Sequence, residues 1–199
     1  MKRSVFWGLG AVALAVLGFG VLDGLFPFPW ERLSPPASVA VLGNRGEPIR
    51  FFLARDQSWR FPVALEEIAP GYLDAVLASE DRHFFRHPGV NPVSLAQAAV
   101  SNLKAGRVVR GGSTITMQVA RMAEPKPRTV AAKLVECFRA LQLELRLSKR
   151  EILGHYANMA PCGGNIVGVG AASWFYFGKG PDRLSHTEGA LLAAIPRSP

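Results

Sequence analysis

The chain is poor in cysteine and in charge. Two cysteines among 199 residues exclude a disulfide-stapled scaffold and a four-cysteine zinc site. Charged residues make up only 19% of the chain and hydrophobic residues 49%, which excludes a disordered tail. Internal repeats and low-complexity segments are also missing. The length therefore predicts one domain with a sizeable core.

The charge that is present is concentrated in one stretch. Residues 101–150 carry eleven Lys and Arg against three acids, which equals the whole net charge of +8. Such a block favours an anionic partner such as nucleic acid, phospholipid headgroups or a pyrophosphate, although an ordinary solvated face has the same composition. The block does not alternate with aromatic residues, which argues against nucleic acid.

The amino terminus contains a long uncharged run. Residues 4–22 hold no charged side chain, and Lys2 and Arg3 precede them. As a helix this run is about 28 Å long at ~1.5 Å per residue, close to the hydrocarbon thickness of a bilayer. It predicts a single transmembrane helix with its amino terminus in the cytoplasm and the rest outside. The alternative is a cleaved signal peptide, whose apolar region is usually shorter.

The remaining pattern predicts a mainly α fold with one short β-hairpin. Residues 39–42 and 49–53 flank a turn at 43–46. Helix starts are indicated at Pro70 and at Asn91-Pro92, and Ser113 is a plausible N-cap for 114–122. Capping boxes begin at residues 148 and 185. Cys137 and Cys162 would face an oxidising space, either paired or as two buried thiols.

A helix predicted over residues 129–147 has two stripes at 100° per residue. Five apolar side chains form the stripe that is the expected core face: Val130, Leu134, Phe138, Leu141 and Leu145. The second stripe, at the edge of that core, holds Lys133, Glu136, Ala140 and Glu144. Lys133 and Glu136 can approach a ligand there, or they form an ordinary ion pair one turn apart.

Two polar clusters carry candidate chemistry. Residues 80–89, EDRHFFRHPG, place Glu80 and Asp81 at a helix end beside aromatic and histidine side chains. Burial there would raise the pKa of a carboxyl group toward the range used in general acid–base catalysis, whereas a solvated helix end would not. Residues 111–118, GGSTITMQ, supply backbone N–H groups and hydroxyls suited to an oxyanion, and their composition favours a polar cleft over a packed core.

These clusters and three later segments resemble the peptidoglycan glycosyltransferase module of class A penicillin-binding proteins, glycosyltransferase family 51. Residues 80–89 match EDxxFxxHxG, and 111–118 match GGSTITxQ. Residues 133–158 match the pattern KxxExxxAxxLExxxSKxxILxxYxN, while 163–179 and 184–199 resemble its glycine-rich and PxxP segments. Residues 116–121, 139–144 and 160–164 indicate one particular branch of the family.

The resemblance implies a lysozyme-like fold and an inverting hexosyltransferase that polymerises lipid II. Glu80 would be the general base and Glu136 the second important carboxylate, which orients the cations or helps to hold a divalent cation, Mg2+ or Mn2+. Arg121, Arg128 and Lys133 would contact the pyrophosphate. Further substrate-binding positions are Asp81, Phe84, His87, Ser113, Thr114, Thr116, Gln118 and Asn158. The implied partners are lipid II, the lipid-linked glycan chain, the membrane and other cell-wall synthesis proteins.

The resemblance also implies a division of the chain. Residues 1–3 would be a cytoplasmic tail, 4–22 the transmembrane helix, 23–62 a membrane-proximal linker with the hairpin, and 63–199 a glycosyltransferase domain that is incomplete at its carboxyl end. Departures from the pattern include Met117, which stands where most relatives carry Gln, and Ala132 and Val135, which replace cations and so remove one or two cationic contacts to substrate. Gly189 is a further departure and weakens a helix. Two other functions stay open: a lytic muramidase, and a truncated module that binds lipid II or a partner without turnover.

Overall fold

The computed structural model describes residues 2–44, 48–107 and 111–197. Residues 45 and 46 of the turn predicted at 43–46 and the first residue of the predicted tail lie outside these ranges. The described helices are α1 (Lys2–Leu25), α2 (Pro70–Glu80), α3 (Pro92–Ala105), α4 (Ile115–Ala123), α5 (Val130–Glu144), α6 (Lys149–Met159), α7 (Gly168–Phe177) and α8 (His186–Ala194). Two antiparallel strands, β1 (Val39–Leu42) and β2 (Pro48–Phe52), form the hairpin. The mainly α prediction with one hairpin is confirmed.

Side-chain caps start most of the helices of the domain. Asn91 accepts from the N–H of Ser94 at the start of α3, and Ser148 and Ser185 form the two predicted capping boxes. The N-cap of α4 is Thr114 rather than Ser113, because its hydroxyl accepts from the N–H of Met117. This shift of one residue leaves the Ser113 side chain available to the neighbouring α5.

The core lies among α2, α4, α6, α7 and α8. Tyr72 and Val76 of α2 pack with Leu192 of α8, and Ile115 and Val119 of α4 are fully enclosed. Met117, which stands where most members of the resembled family carry Gln, is buried in the interior. Helix α4 is therefore a core element, and Gln118 is the side chain of its first turn that is partly exposed.

The orientation predicted for α5 is wrong. Val130, Leu134 and Leu145 of the supposed core stripe are exposed, and Phe138 contacts the ring of Phe19 in α1 at 5.3 Å between centroids. The inward face carries Ala132, Ala140, Gln142 and Leu143. A helical wheel ranks the faces of a helix by hydropathy alone. In the structure, Glu144 of the second stripe faces inward because it bonds Thr116 of α4, and α1 covers Phe138 of the apolar stripe.

Helix α1 covers the segment predicted to cross a membrane. Within the described ranges, however, no helix is both long and apolar enough to span a bilayer. This finding does not support the transmembrane assignment of residues 4–22.

The two cysteines are unpaired. Cys162 is buried, and burial raises the pKa of its thiol to about 12. Burial also raises the pKa of the Cys137 thiol. Of the two alternatives from the sequence, the structure has free thiols, and both are protonated at neutral pH.

Gly189 is required for packing rather than being a weak point of α8. A Cβ at this position would lie 2.9 Å from the backbone nitrogen of Tyr72 and 3.0 Å from its Cα. We expect Gly189→Ala to lower the melting temperature, because the backbone contact between α8 and α2 outweighs the gain of about 1 kcal/mol in helix propensity. Thermal unfolding followed by circular dichroism measures the change.

Gly154 in α6 provides the matched control. A Cβ there would meet only the Cβ of Leu65, at 3.9 Å. Gly154→Ala should therefore raise the melting temperature through helix propensity alone. If Gly189→Ala raised the melting temperature as well, the close approach of α8 to α2 would not be limiting.

Candidate active site

A cavity of about 880 Å³ opens where four segments meet. It lies between the end of α2, the turn at residues 81–83, the first turn of α3 and the glycine-rich segment before α4. Its lining residues are Ala78, Ser79, Glu80, Asp81, Arg82, His83, Asn91, Ser94, Gly111, Gly112, Ser113, Thr114, Gln118, Arg121 and Pro196. The two polar clusters of the sequence thus form one concave surface.

Glu80 is held at the cavity by α4. It is the last residue of α2, and its Oε2 accepts a hydrogen bond of 2.8 Å from Nε2 of Gln118. Both side chains are partly exposed to the cavity. The amide restricts the rotamers of the carboxylate while leaving it within reach of a molecule in the cavity, which is the arrangement a general base needs.

Asp81 has a structural position next to Glu80. Its carboxylate lies 3.0 Å from Nε2 of His87 and accepts from the backbone N–H of Ile115 at 3.1 Å. Both side chains of the pair are more than nine-tenths buried. Asp81 therefore joins the turn after α2 to the start of α4. A negative charge at this helix start interacts favourably with the helix dipole.

Lys133 extends from α5 to the rim of the cavity. Its Nζ donates to Oγ of Ser113 at 2.5 Å and to Oε2 of Glu136 at 2.7 Å. The Lys133 side chain is about one-third exposed, whereas that of Glu136 is 13% exposed. Glu136 thus holds the ammonium group beside Ser113, and an anion in the cavity would meet a cation already in place.

A second polar group ties α4 to α5 beneath the cavity. Oε1 of Glu144 accepts from Oγ1 of Thr116 at 2.6 Å and from Nζ of Lys149 at 2.7 Å. The Lys149 ammonium lies 4.4 Å from the centroid of the Phe84 ring. Gly89, at φ +83°, fits against this group, because a Cβ there would be 2.6 Å from Cγ of Glu144. Three sequence motifs therefore meet at Glu144.

The buried position of Thr116 leads to a prediction about stability. Thr116→Val keeps the shape but removes the donor to Glu144, so we expect the free energy of unfolding to fall by about 1–3 kcal/mol. Binding of the lipid-linked substrate implied by the resemblance should be retained, since the Thr116 side chain is fully enclosed. Chemical denaturation and a binding assay measure the two quantities.

Thr116→Ser, which keeps the hydroxyl, is the control and should lose less stability than the valine variant. Loss of substrate binding at unchanged stability would contradict this assignment and place Thr116 in contact with the substrate.

The structure brings together only part of the predicted site. Glu80, Asp81, Ser113, Thr114, Gln118 and Arg121 line the cavity, and Lys133 and Glu136 join it through Ser113. Phe84, His87 and Thr116 support it from below. Arg128 is exposed outside the lining, and the Asn158 amide bonds to the backbone of Val63 and Gly154. Substrate contact by these last two residues stays a prediction without geometric support.

Sequence reasoning missed five polar lining residues: Ser79, Arg82, His83, Asn91 and Ser94. Arg82 and His83 stand at unspecified positions of the first motif, so the pattern carried no signal for them. Asn91 was recognised only as a cap. Its place at the cavity follows from the packing of α3 against Gly112, where a Cβ would be 3.0 Å from that of Ala98.

The residues present do not form a metal centre by themselves. Among the described residues there is no group of three or more His, Cys, Asp or Glu side chains that could hold an ion. The carboxylate of Glu136, the proposed ligand, is already engaged by Lys133. A divalent cation therefore has no prepared donor set among the residues that the structure describes.

Comparison with known proteins gives one consistent family. A family model described as transglycosylase matches residues 45–199. Penicillin-binding protein 1C of Escherichia coli is 50% identical to the chain over its whole length. The match covers 26% of the length of that protein. Penicillin-binding proteins 1A of Aquifex aeolicus and E. coli are 38% and 35% identical over the whole chain. The chain spans about a quarter of the length of these curated relatives.

Proposed function

The chain belongs to the transglycosylase family, and from that premise we propose that it is a peptidoglycan glycosyltransferase, an inverting hexosyltransferase that polymerises lipid II into glycan strands. One observation carries the proposal beyond the family. The same cavity has a carboxylate, Glu80, oriented by Gln118, and a preformed cation, Lys133, at its rim beside Ser113. Glycosyl transfer to a hydroxyl from a diphosphate needs both.

Glu80 acts on the acceptor. The 4-hydroxyl of lipid II is a poor nucleophile at neutral pH, so Glu80 takes its proton as the oxygen attacks the anomeric carbon of the donor glycan chain. The new carbon–oxygen bond forms on the face opposite the diphosphate, and the configuration inverts. Gln118 supports this role because its amide donates to Oε2 of Glu80 and holds the carboxylate at the cavity.

Lys133 and Arg121 act on the leaving group. The bond from the anomeric carbon to the polyprenyl diphosphate breaks with its electron pair, and the departing oxygen gains negative charge. The Lys133 ammonium and the Arg121 guanidinium stabilise this charge, and Glu136 keeps Lys133 in place. The leaving group is already acidic and needs no proton.

We place the domain at the outer face of the bacterial cytoplasmic membrane, with α1 as its anchor. Support comes from the uncharged run 4–22 and from exposed apolar side chains on α1, among them Leu14, Leu17 and Val21. Both proposed substrates carry a polyprenyl chain, so confinement to one surface replaces a search in three dimensions. Extraction of cell membranes with alkaline carbonate tests the anchor: an anchored chain stays in the pellet, and a released chain contradicts it.

Incubation with labelled lipid II in detergent tests the reaction itself. Glycan polymer on gel electrophoresis is the expected product. Clearing of polymeric cell wall without consumption of lipid II would instead establish a muramidase. Binding of lipid II without polymer would establish a non-catalytic module. Parallel reactions with Mg2+, with Mn2+ and with EDTA decide whether a divalent cation takes part.

A further inference from the structure

One segment that marks the family branch, residues 139–144, has no part in the cavity. Two of its side chains, Arg139 and Gln142, lie on the side of α5 that meets the end of α1. Nε2 of Gln142 donates to Oδ1 of Asp23 at 2.7 Å and to the carbonyl of Phe26 at 2.9 Å. Gln142 is fully buried, so these bonds are shielded from water.

Arg139 joins three elements at this point. Its Nη1 donates to the carbonyls of Phe26 and Pro27, at 2.7 and 3.0 Å, just after α1. Its Nε donates to Oε2 of Glu124 at 2.8 Å, at the end of α4. Nη1 also donates to Oε1 of Gln142 at 2.8 Å. The planar fork of the guanidinium satisfies partners in two directions, which a lysine ammonium on a single stem does not reproduce.

Arg146 completes the contact with α1. Both of its terminal nitrogens donate to the carboxylate of Asp23, and its guanidinium lies 5.6 Å from the Trp30 ring centroid. Ring contact between Phe19 and Phe138 continues the contact along α1. The end of α1 is therefore fixed to α5 and to Arg146 by several directional contacts.

Helix α5 carries Lys133 at the rim of the cavity, and α4 carries Gln118 and Arg121 in its lining. At one end of α4, Ser113 accepts from Lys133, and at the other Glu124 accepts from Arg139. Glu144 holds Thr116 between these ends. The crossing of α4 and α5 thus depends on hydrogen bonds at both ends of α4. Of these, the one made by Arg139 also connects to the residues that follow α1.

We propose that Arg139 is a positioning residue that fixes α1 and the end of α4 on α5, and thereby keeps Lys133 beside Ser113 at the cavity. Its effect on turnover rests on the proposed function. Its effect on the position of α1 does not. The hydrogen-bond partners of Arg139 named above are not lining residues of the cavity, so a change in catalysis would pass through the crossing of α4 and α5.

The test compares Arg139→Lys with the unaltered full chain. The lysine keeps the charge but cannot bond Glu124 and the two carbonyls together. We expect kcat for lipid II polymerisation to fall about tenfold or more, with KM within about twofold, since small displacements of reacting groups mainly slow the chemical step. Arg150→Lys, in an exposed pair with Glu66, is the matched control and should leave kcat unchanged.

A second readout does not depend on activity. Spin labels at Leu14→Cys in α1 and Leu191→Cys in α8, two exposed positions, report the distance between α1 and the domain in a Cys137→Ser background. We expect one narrow distance distribution for the parent, and a broadened or shifted one for Arg139→Lys. Asp23→Asn, which weakens the bond to Arg146, should broaden it to a smaller extent.

The outcomes separate the two proposals. A parent chain that makes no polymer overturns the proposed function, while the label distance still tests the tie. An unchanged distance distribution in Arg139→Lys overturns the tie, whatever the activity. A fall in kcat that is accounted for by a smaller folded fraction, measured by circular dichroism on the same preparation, also overturns the positioning role, because loss of folded protein lowers the apparent kcat and leaves KM unchanged.

Discussion

Glu80→Gln should abolish polymerisation of lipid II while leaving lipid II bound. The substitution keeps the size of the side chain, and the new amide oxygen can still accept from Gln118. The amide cannot take a proton from the attacking hydroxyl, so we expect kcat to fall by about 10²–10⁴-fold, the usual contribution of a general base. Polymer yield and lipid II binding, measured on the same preparation, separate the two effects.

Glu66→Gln is the matched control for this prediction. Glu66 is a glutamate in an exposed ion pair with Arg150, away from the cavity lining. It should polymerise at the parent rate. Near-normal polymerisation by Glu80→Gln would show that another group takes the proton, and the base assignment would be wrong.

Lys133→Ala should weaken both the handling of the lipid-linked donor and the rate. The change removes the ammonium that bonds Ser113 and leaves the Glu136 carboxylate largely buried without this partner. Loss of one preorganised cation at the leaving group should reduce kcat/KM by about 10²–10³-fold. Initial rates over a range of donor concentrations measure the effect on kcat and on KM.

Lys179→Ala is a close control for Lys133→Ala. Lys179 pairs with Glu188 at 2.8 Å, and its side chain is 31% exposed against 34% for Lys133. Loss of this pair should leave the kinetics unchanged, because it lies outside the cavity lining. If Lys133→Ala retained the parent rate and donor KM, the role of Lys133 at the diphosphate would be refuted.

Local sequence signals predicted the helix starts well and one helix face badly. Asn91, Ser148 and Ser185 cap helices because a cap depends on the few residues around it. The outward apolar stripe of α5 was misassigned because burial depends on what lies opposite. Two other helices, α4 and α1, decide that.

The same distinction holds for the candidate site. The motif spacing pointed to Glu80, Gln118 and Lys133, and all three are at the cavity or its rim. Spacing could not distinguish Thr116, which faces Glu144 inside the fold, from Ser113, which faces Lys133 at the surface. Ser113 precedes the N-cap of α4 and Thr116 lies in its first turn, so the packing of this segment, and not the spacing, decides the partner of each side chain.

By itself the sequence determined the family, the mainly α composition and most helix starts, and it pointed to Glu80 and Lys133, because these depend on residue types at short, ordered spacings. The tertiary structure alone decided which side chains share the cavity, why Gly89 and Gly189 admit no side chain, and how Arg139 joins α1 to the end of α4. Each of these depends on backbone approaches and directional hydrogen bonds between segments far apart in the chain, and no local pattern records them.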